Sequence, residues 1–378
     1  MSEYTDINDE KKVQKVNQFK CSSCGGTTVF DPESQNLKCE YCDSITEIED
    51  LQGVIEEKDF FSIDESALSN DWGVETRVVN CKSCGGETVL EANNISTRCV
   101  FCGSPQVITK DELPGIKPES IIPFKIASDG ARKLFKSWIG KRFWAPRSIK
   151  KDHEADDKLK GLYVPFWTYD AYTKSEYDGL AGQHYYVTQT YTVAVNGRNQ
   201  IRTRQVQKTR WFPVAGSHQH FSDDVTLNDS TNLDEKIMQN IQPFNLKLLA
   251  IYNPAFLVGF AAEKYAKGVT KLWPTAKSII ANQIKSGIHN QILTNPMADV
   301  VGSLNINTIY NEITYKHMLL PVWLSAYKFR GKIYKFYING QTGEVQGVAP
   351  TSALKVASAI IITAAIIYLI YYLVGGMI

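Results

Sequence analysis

CSSCGGTTVFDPESQNLKCEYC, residues 21–42, and CKSCGGETVLEANNISTRCVFC, residues 81–102, together hold all eight cysteines of the chain. In each stretch a Cys-x-x-Cys pair is followed, after 14 intervening residues, by a second pair. The stretches start 60 residues apart and agree at nine of 22 positions, including Gly25/Gly85, Gly26/Gly86, Thr28/Thr88 and Val29/Val89. Two residues between thiols let one tight turn aim both sulfurs at a single tetrahedral ion, and a second turn brought back by a hairpin closes a four-thiolate shell. The glycines after Cys24 and Cys84 suit a turn in which the backbone folds around sulfur. So short a hairpin buries too little apolar surface to fold alone, and metal binding, worth about 10–16 kcal/mol in zinc-finger peptides, supplies the difference. Disulfides and a redox dithiol compete for such spacings, but no βαβ pattern surrounds either pair. The spacing predicts two structural zinc ions, one on Cys21, Cys24, Cys39 and Cys42 and one on Cys81, Cys84, Cys99 and Cys102. Closed shells leave no position for a catalytic water.

With 378 residues, 43% of them apolar, the chain has room for more than one domain and for a core outside the ribbons. Its net charge of +1 conceals an asymmetry. Residues 21–102 carry 16 acidic and five basic side chains, a net of −11, and residues 1–20 balance, so residues 103–378 carry +12. Thiols in metal spacing imply a reducing compartment, and the polar opening MSEYTDINDEKKVQKV lacks the apolar segment of a signal peptide. The far end is of another kind. Val356–Ile378 runs 23 residues without a charged side chain, long enough as a helix to cross about 30 Å of hydrocarbon. A buried helix seldom stays apolar on every face. The expected topology is therefore a single-pass tail anchor in the cell membrane, with the N-terminal domains in the cytoplasm.

Between the ribbons, residues 43–80 hold 11 acidic and two basic side chains. FFSIDESALSNDWGVE within them reads either as a short helix anchored by Phe60, Phe61, Leu68 and Trp72 or as a solvated linker. After a proline-punctuated connector, Ser128 or Asp129 caps a helix whose face is Ala131, Leu134, Phe135 and Trp138, with Gly140 as stop signal. A basic run begins there: Arg132, Lys133, Lys136, Lys141, Arg142, Arg147, Lys150 and Lys151. From Gly161 the pattern turns to strands, and Asn196-Gly197 predicts a type I′ hairpin. Its register sets Tyr191 opposite Arg202, Gln189 opposite Arg204 and Tyr185 opposite Lys208. Arg202, Arg204 and Lys208 are thus candidate contacts for phosphate or lipid headgroups, against the ordinary alternative of a solvated face. His218 and His220 share one side of a strand near Asp223 and Asp224, without an identifiable third ligand. Asn253-Pro254 reads as the start of a helix running to about Lys267, and Pro274 as the start or kink of another, with Ile280, Ile284, Ile288 and Ile292 as a core stripe. Pro321-Val322-Trp323 echoes Pro165-Phe166-Trp167, which makes the two strand groups candidate neighbours in one sheet.

The predicted chain is multidomain: a flexible N-terminus (1–20), zinc ribbon 1 (21–42), an acidic linker (43–80), zinc ribbon 2 (81–105), a connector (106–125), an α+β domain with antiparallel sheet and helical insertion (126–350), and a transmembrane anchor (354–378). Several enzyme motifs are missing. Gly140-Lys141 and Gly331-Lys332 are followed by Arg142 and Ile333, so there is no phosphate-cradling loop, and neither Gly-x-Ser-x-Gly nor His-Glu-x-x-His occurs. With the cysteines committed to zinc, the residues point away from an enzyme.

The conjunction of CxxCGG twice, YVPFW at 163–167, ING-QTG-EV at 338–345 and an apolar C-terminus resembles a family of bacterial membrane proteins with two N-terminal ribbons of the transcription-factor-B type. The resemblance implies an adaptor that holds phage-shock-protein-A-type stress proteins at the membrane. Relatives labelled primosomal helicase-like share only the ribbon, since a motor is missing here. Two functions are expected in order. The first is an adaptor whose acidic ribbons bind a protein partner, while the anchor and the basic domain meet membrane lipid. The second is a nucleic-acid-binding ribbon protein, disfavoured because a −11 head repels phosphate.

Overall fold

The computed structural model describes residues 19–49, 51, 53–63, 76–81, 87–91, 100–101, 107–110, 118–146, 159–195, 198–230, 232–329 and 332–375. In chain order the strands are β1 (Thr28–Asp31), β2 (Asn36–Cys39), β3 (Ile45–Thr46), β4 (Lys58–Asp59), β5 (Thr76–Cys81), β6 (Glu87–Glu91), β7 (Val107–Lys110) and β8 (Ser120–Ile121). There follow β9 (Lys160–Val195), β10 (Arg198–Asn228), β11 (Ala250–Ile251), β12 (Ala261–Glu263), β13 (Val300–Phe329), β14 (Lys332–Asn339) and β15 (Val345–Gly347). The helices are α1 (Ser128–Lys141), α2 (Glu235–Asn240), α3 (Val269–Leu293) and α4 (Ala353–Gly375).

The 36 residues of β9 form the spine. One edge of β9 pairs antiparallel with β13 from Lys160↔Leu324 to Gly182↔Val300. Its other edge pairs with β10 from Phe166↔Asn228 to Val195↔Arg198. Where β10 ends, β12 takes over that edge, parallel to β9 at Leu162 and Tyr163, and passes the sheet on through β6 to β5 and β7. On the outer edge of β13 lie β14, β8 and β4. The hairpin register expected from Asn196-Gly197 is the one observed, with Tyr191↔Arg202, Gln189↔Arg204 and Tyr185↔Lys208 paired; the turn itself lies outside the described residues. The two Pro-x-Trp segments are indeed neighbours, with Leu319 opposite Pro165 and Pro321 opposite Tyr163.

Burial departs from simple alternation at the start of β9, where every residue from Leu162 to Ala171 is buried. Both faces are covered there. Leu162, Val164 and Phe166 pack with Ile237, Met238 and Ile241 of α2 and its C-cap. On the opposite face Tyr163 joins Phe135 and Ile139 of α1, and farther along Trp167, Tyr169 and Ala171 meet α3. The isoleucine stripe is core as expected, with Ile280, Ile284, Ile288 and Ile292 all buried on the sheet.

Three local expectations change. Asn253 does accept a hydrogen bond from the Ala255 amide, but the turn it caps is a 3-10 helix, Pro254–Leu257, and the chain then enters β12 rather than a helix to Lys267. Gly259 at φ +86° follows, a conformation that breaks a helix. Helix α1 starts after Ala127 with no side-chain cap and runs through Gly140 to Lys141. In the acidic linker Phe60–Ser62 is a single 3-10 turn; Phe60 packs on Trp273 while Phe61 is exposed, and Leu68 and Trp72 lie outside the described residues.

Candidate metal centre

Ribbon 1 is built by β1 and β2, which pair from Thr28↔Cys39 to Asp31↔Asn36, with β3 added on the outside of β2. The hairpin brings Cys39 and Cys42 back over the first turn, so that the four sulfurs of Cys21, Cys24, Cys39 and Cys42 lie within 4.8 Å of one another. Cys21 and Cys42 are 3.6 Å apart and Cys24 and Cys39 3.5 Å apart. A tetrahedron with metal–sulfur bonds of about 2.3 Å requires sulfurs separated by about 3.8 Å, so the donor set fits a four-thiolate ion with little movement. The Ser23 amide points at the Cys21 sulfur (3.4 Å) and the Tyr41 amide at the Cys39 sulfur (3.5 Å). Both turns therefore direct a backbone donor at a ligand, the outer-shell contact that steadies metal-bound sulfur.

The thiols are already electronically uneven. The Ser44 hydroxyl, 2.9 Å from the Cys21 sulfur, is the main cause of that thiol falling to about 5, and the backbone around Cys24 lowers it further. Ser44 lowers Cys42 as well. At Cys24 the Gly26 amide pulls downward, but the neighbouring Cys42 and Cys39 thiols outweigh it and carry the group up to about 12. One cluster thus sets a lowered thiol at Cys21 beside a raised one at Cys24, and binding a cation through all four sulfurs releases the protons they hold. Four clustered cysteines can hold a metal ion. In the second stretch Cys81 closes β5, and Cys84, Cys99 and Cys102 lie outside the described residues.

Ribbon 1 is not a free head. Phe30 and Leu37 on its inner face are buried with Leu257, Val258 and Phe260, and the Phe30 amide donates to the Val258 carbonyl at 3.0 Å. Tyr41 (76% exposed) and Ile45 (56% exposed) face outward beside the exposed Glu40, Asp43 and Glu47.

The other candidate residues are placed as follows. Arg202, Arg204 and Lys208 lie exposed on the part of the β9–β10 hairpin beyond Gly182, where β13 no longer accompanies it. The period of two sets them, with Arg198 and Arg210, on one face, and no acidic residue occurs from Gln183 to Arg210. Arg204 stacks over Tyr191 (5.4 Å) and donates to Gln189. Among the described residues, no third ligand joins His218 and His220. Their rings meet Gln291 (2.8 Å) and Gln283 (3.4 Å) of α3, and Gly287 leaves room for the His218 ring. The residues of YVPFW and ING-QTG-EV are structural. Trp167 donates to Asp229, which also accepts the Lys267 and Gly268 amides at the start of α3. Asn339 accepts the Gln341 and Thr342 amides inside the β14–β15 turn.

A further cluster joins Asp223 and Asp224 to Asp170, Glu57 and Lys316, which the sequence keeps far apart. Level with Asp170–Tyr172 both partners of β9 shift register, between Ser222 and Val225 on β10 and between Asn311 and Thr314 on β13. Asp224 and Glu312 take positive φ there, the mark of bulges. The Asp224 amide donates to Asp170 at 2.6 Å, and Lys316 bridges Glu57 (2.9 Å) and Asp224 (3.0 Å). Burial, with Glu57 beside it, pushes the Asp170 carboxyl up to about 7. Asp170, Asp223 and Asp224 are close enough to share an ion, but Lys316 already supplies the countercharge. No local motif announces this cluster, because Glu57 and Asp170 meet only through strand pairing.

At the other end of the chain α4 is long and apolar enough to cross a membrane, and within Ala353–Tyr372 none of its side chains is buried. No family model and no solved structure matches the chain. It is similar over 355 residues, at 28% identity, to the Bacillus subtilis (strain 168) protein named "Uncharacterized protein YdjG", with 90% of this chain and 92% of that protein covered.

Proposed function

We propose that the chain is a membrane-anchored cytosolic adaptor whose zinc-stapled acidic head recruits a protein partner to the membrane, in the setting of an envelope-stress response. The carrying observation is the pairing, in one chain, of an uncovered apolar C-terminal helix with a cysteine-clustered ribbon exposing Tyr41 and Ile45 among acids. Exposed aromatic and aliphatic side chains ringed by charge make a protein-binding patch. An all-sulfur tetrahedral donor set suits zinc rather than magnesium or calcium, and the repeated spacing around Cys81, Cys84, Cys99 and Cys102 supports a second zinc. Cysteines kept for a metal suit a reducing compartment, which supports a cytoplasmic body. In this reading the chain works by binding and not by catalysis. The test compares proteins captured with the full-length chain from membranes with those captured by Tyr41→Ser/Ile45→Ser. The variant is expected to lose a stoichiometric partner while keeping its zinc and its membrane insertion; identical captures overturn the reading.

The basic hairpin favours one second reading, nucleic-acid binding, because five cations on one face without an acid can neutralise phosphates. Gel shift of the full-length chain in detergent at physiological salt decides it. A shift abolished by Arg202→Gln/Arg204→Gln/Lys208→Gln replaces the adaptor reading.

A further inference from the structure

We propose that the hollow at the foot of α4 binds the headgroup phosphate of an anionic phospholipid; this rests on the reading of α4 as a membrane span. The cavity is about 350 Å³ and is lined by Lys141, Arg142, Phe143 and Trp144 on one side and by Ala349, Pro350 and Thr351 on the other. No acidic residue lines it.

The turn that forms one wall is bolted to the first turn of α4. The Ser352 amide donates to the Trp144 carbonyl at 2.8 Å. The Lys355 ammonium donates to the carbonyls of Phe143 (2.7 Å) and Ala145 (2.8 Å) and lies 5.5 Å from the centre of the Phe143 ring. A spanning α4 therefore fixes this turn at headgroup depth. Phe143 and Trp144 are 70% and 43% exposed and meet edge to face at 5.1 Å. Two adjacent uncovered aromatic rings are costly in water and favoured at the boundary between headgroups and acyl chains.

The cations complete the site. Lys141 and Arg142 end α1 with exposed side chains. The Arg142 guanidinium stacks on the Trp138 ring at 4.7 Å, which holds its plane and leaves its edge to pair with two phosphate oxygens. The negative end of the α1 dipole accounts for basic residues at this position, but not for the exposed aromatic pair or the ties to α4. Lys141 and Arg142 of the basic run thereby acquire a role that the acidic head cannot share.

The experiment reconstitutes the full-length chain with phosphatidylcholine or phosphatidylglycerol and measures retained lipid by native mass spectrometry. The wild type is expected to prefer phosphatidylglycerol, and Lys141→Gln/Arg142→Gln to lose about thirtyfold of that preference, since two surface cations contribute about 1 kcal/mol each. Lys133→Gln, exposed on α1 outside the hollow, is expected to keep it. Equal retention of both lipids by the wild type, an unchanged double variant, or displacement of the lipid by millimolar inorganic phosphate overturns the proposal. Carbonate extraction separates the two readings. A chain that washes off membranes refutes the span and the site together, and one that resists washing yet shows no lipid preference refutes the site alone.

Discussion

Gly25 and Gly26 do different work in one turn. Gly25 sits at φ +70°, a left-handed conformation, whereas a side chain on Gly26 would come within 2.6 Å of the Tyr41 ring. Gly25→Ala should therefore weaken metal binding by roughly 1–2 kcal/mol, about five- to thirtyfold, in competition with a chromophoric chelator. Cys39 is fully buried, and Cys39→Ser should lower the metal content by one ion per chain by elemental analysis. Asp170 gives the pH dependence. Its folded carboxyl titrates near 7, above its unfolded value, so between pH 4 and 7 the folded state holds the extra proton and stability falls as pH rises. Buried Glu263, also raised to about 7 mainly by burial, acts in the same direction, and Glu57, lowered by Asp170 and Lys316 despite burial, acts in the opposite one. Asp170→Asn mimics the protonated form and should flatten this decline in denaturant midpoints measured from pH 5 to 8; an unchanged slope counts against the assignment.

Among the elements, α3 and the free end of the β9–β10 hairpin are opposites. Ile284 is buried at the middle of the α3 stripe, and Ile284→Ala should cost about 2–5 kcal/mol in denaturant unfolding of the detergent-solubilised chain. No described residue from Gln183 to Arg210 is buried, so Arg202→Gln and Arg204→Gln should each change stability by less than about 0.5 kcal/mol. A two-stranded ribbon with neither face covered is marginal by itself, and its continuity with the three-stranded part holds it. The bulges opposite Asp170 lie where the acidic linker is fastened through Glu57, Lys58 and β4.

At the scale of the molecule the two cysteine stretches share packing with the long sheet. Ribbon 1 enters a core with Phe124, Phe260 and Trp323, and β6 of the second cysteine stretch pairs with β12 at Ala262↔Val89. Metal loss should therefore reach beyond the ribbon: chelation is expected to expose Phe30 and Leu37 and to lower the unfolding midpoint of the whole body, not only to free residues 21–48. Ending the chain after Pro350 should move it from the membrane to the soluble fraction on centrifugation, since the 23 residues of α4 are the only charge-poor span among the described helices.

Features governed by short-range chemistry were legible in the sequence. Thiol spacing foretold the four-sulfur cluster, Asn196-Gly197 set a hairpin register along two long strands, and isoleucines every fourth residue marked the buried face of α3. The apolar run at the C-terminus is a helix, the form in which an apolar segment pairs its own backbone groups. Tertiary structure alone decided the rest. Asn253-Pro254 is a sound helix start, yet the free edge of β9 at Leu162 draws the following residues into β12, because an unpaired buried edge outweighs local propensity. Likewise Glu57 meets Asp170, and Trp144 meets Ser352, through contacts between residues more than a hundred positions apart. Such pairs leave no periodic trace, so the carboxylate cluster and the hollow at the foot of the anchor emerge only once the chain has folded.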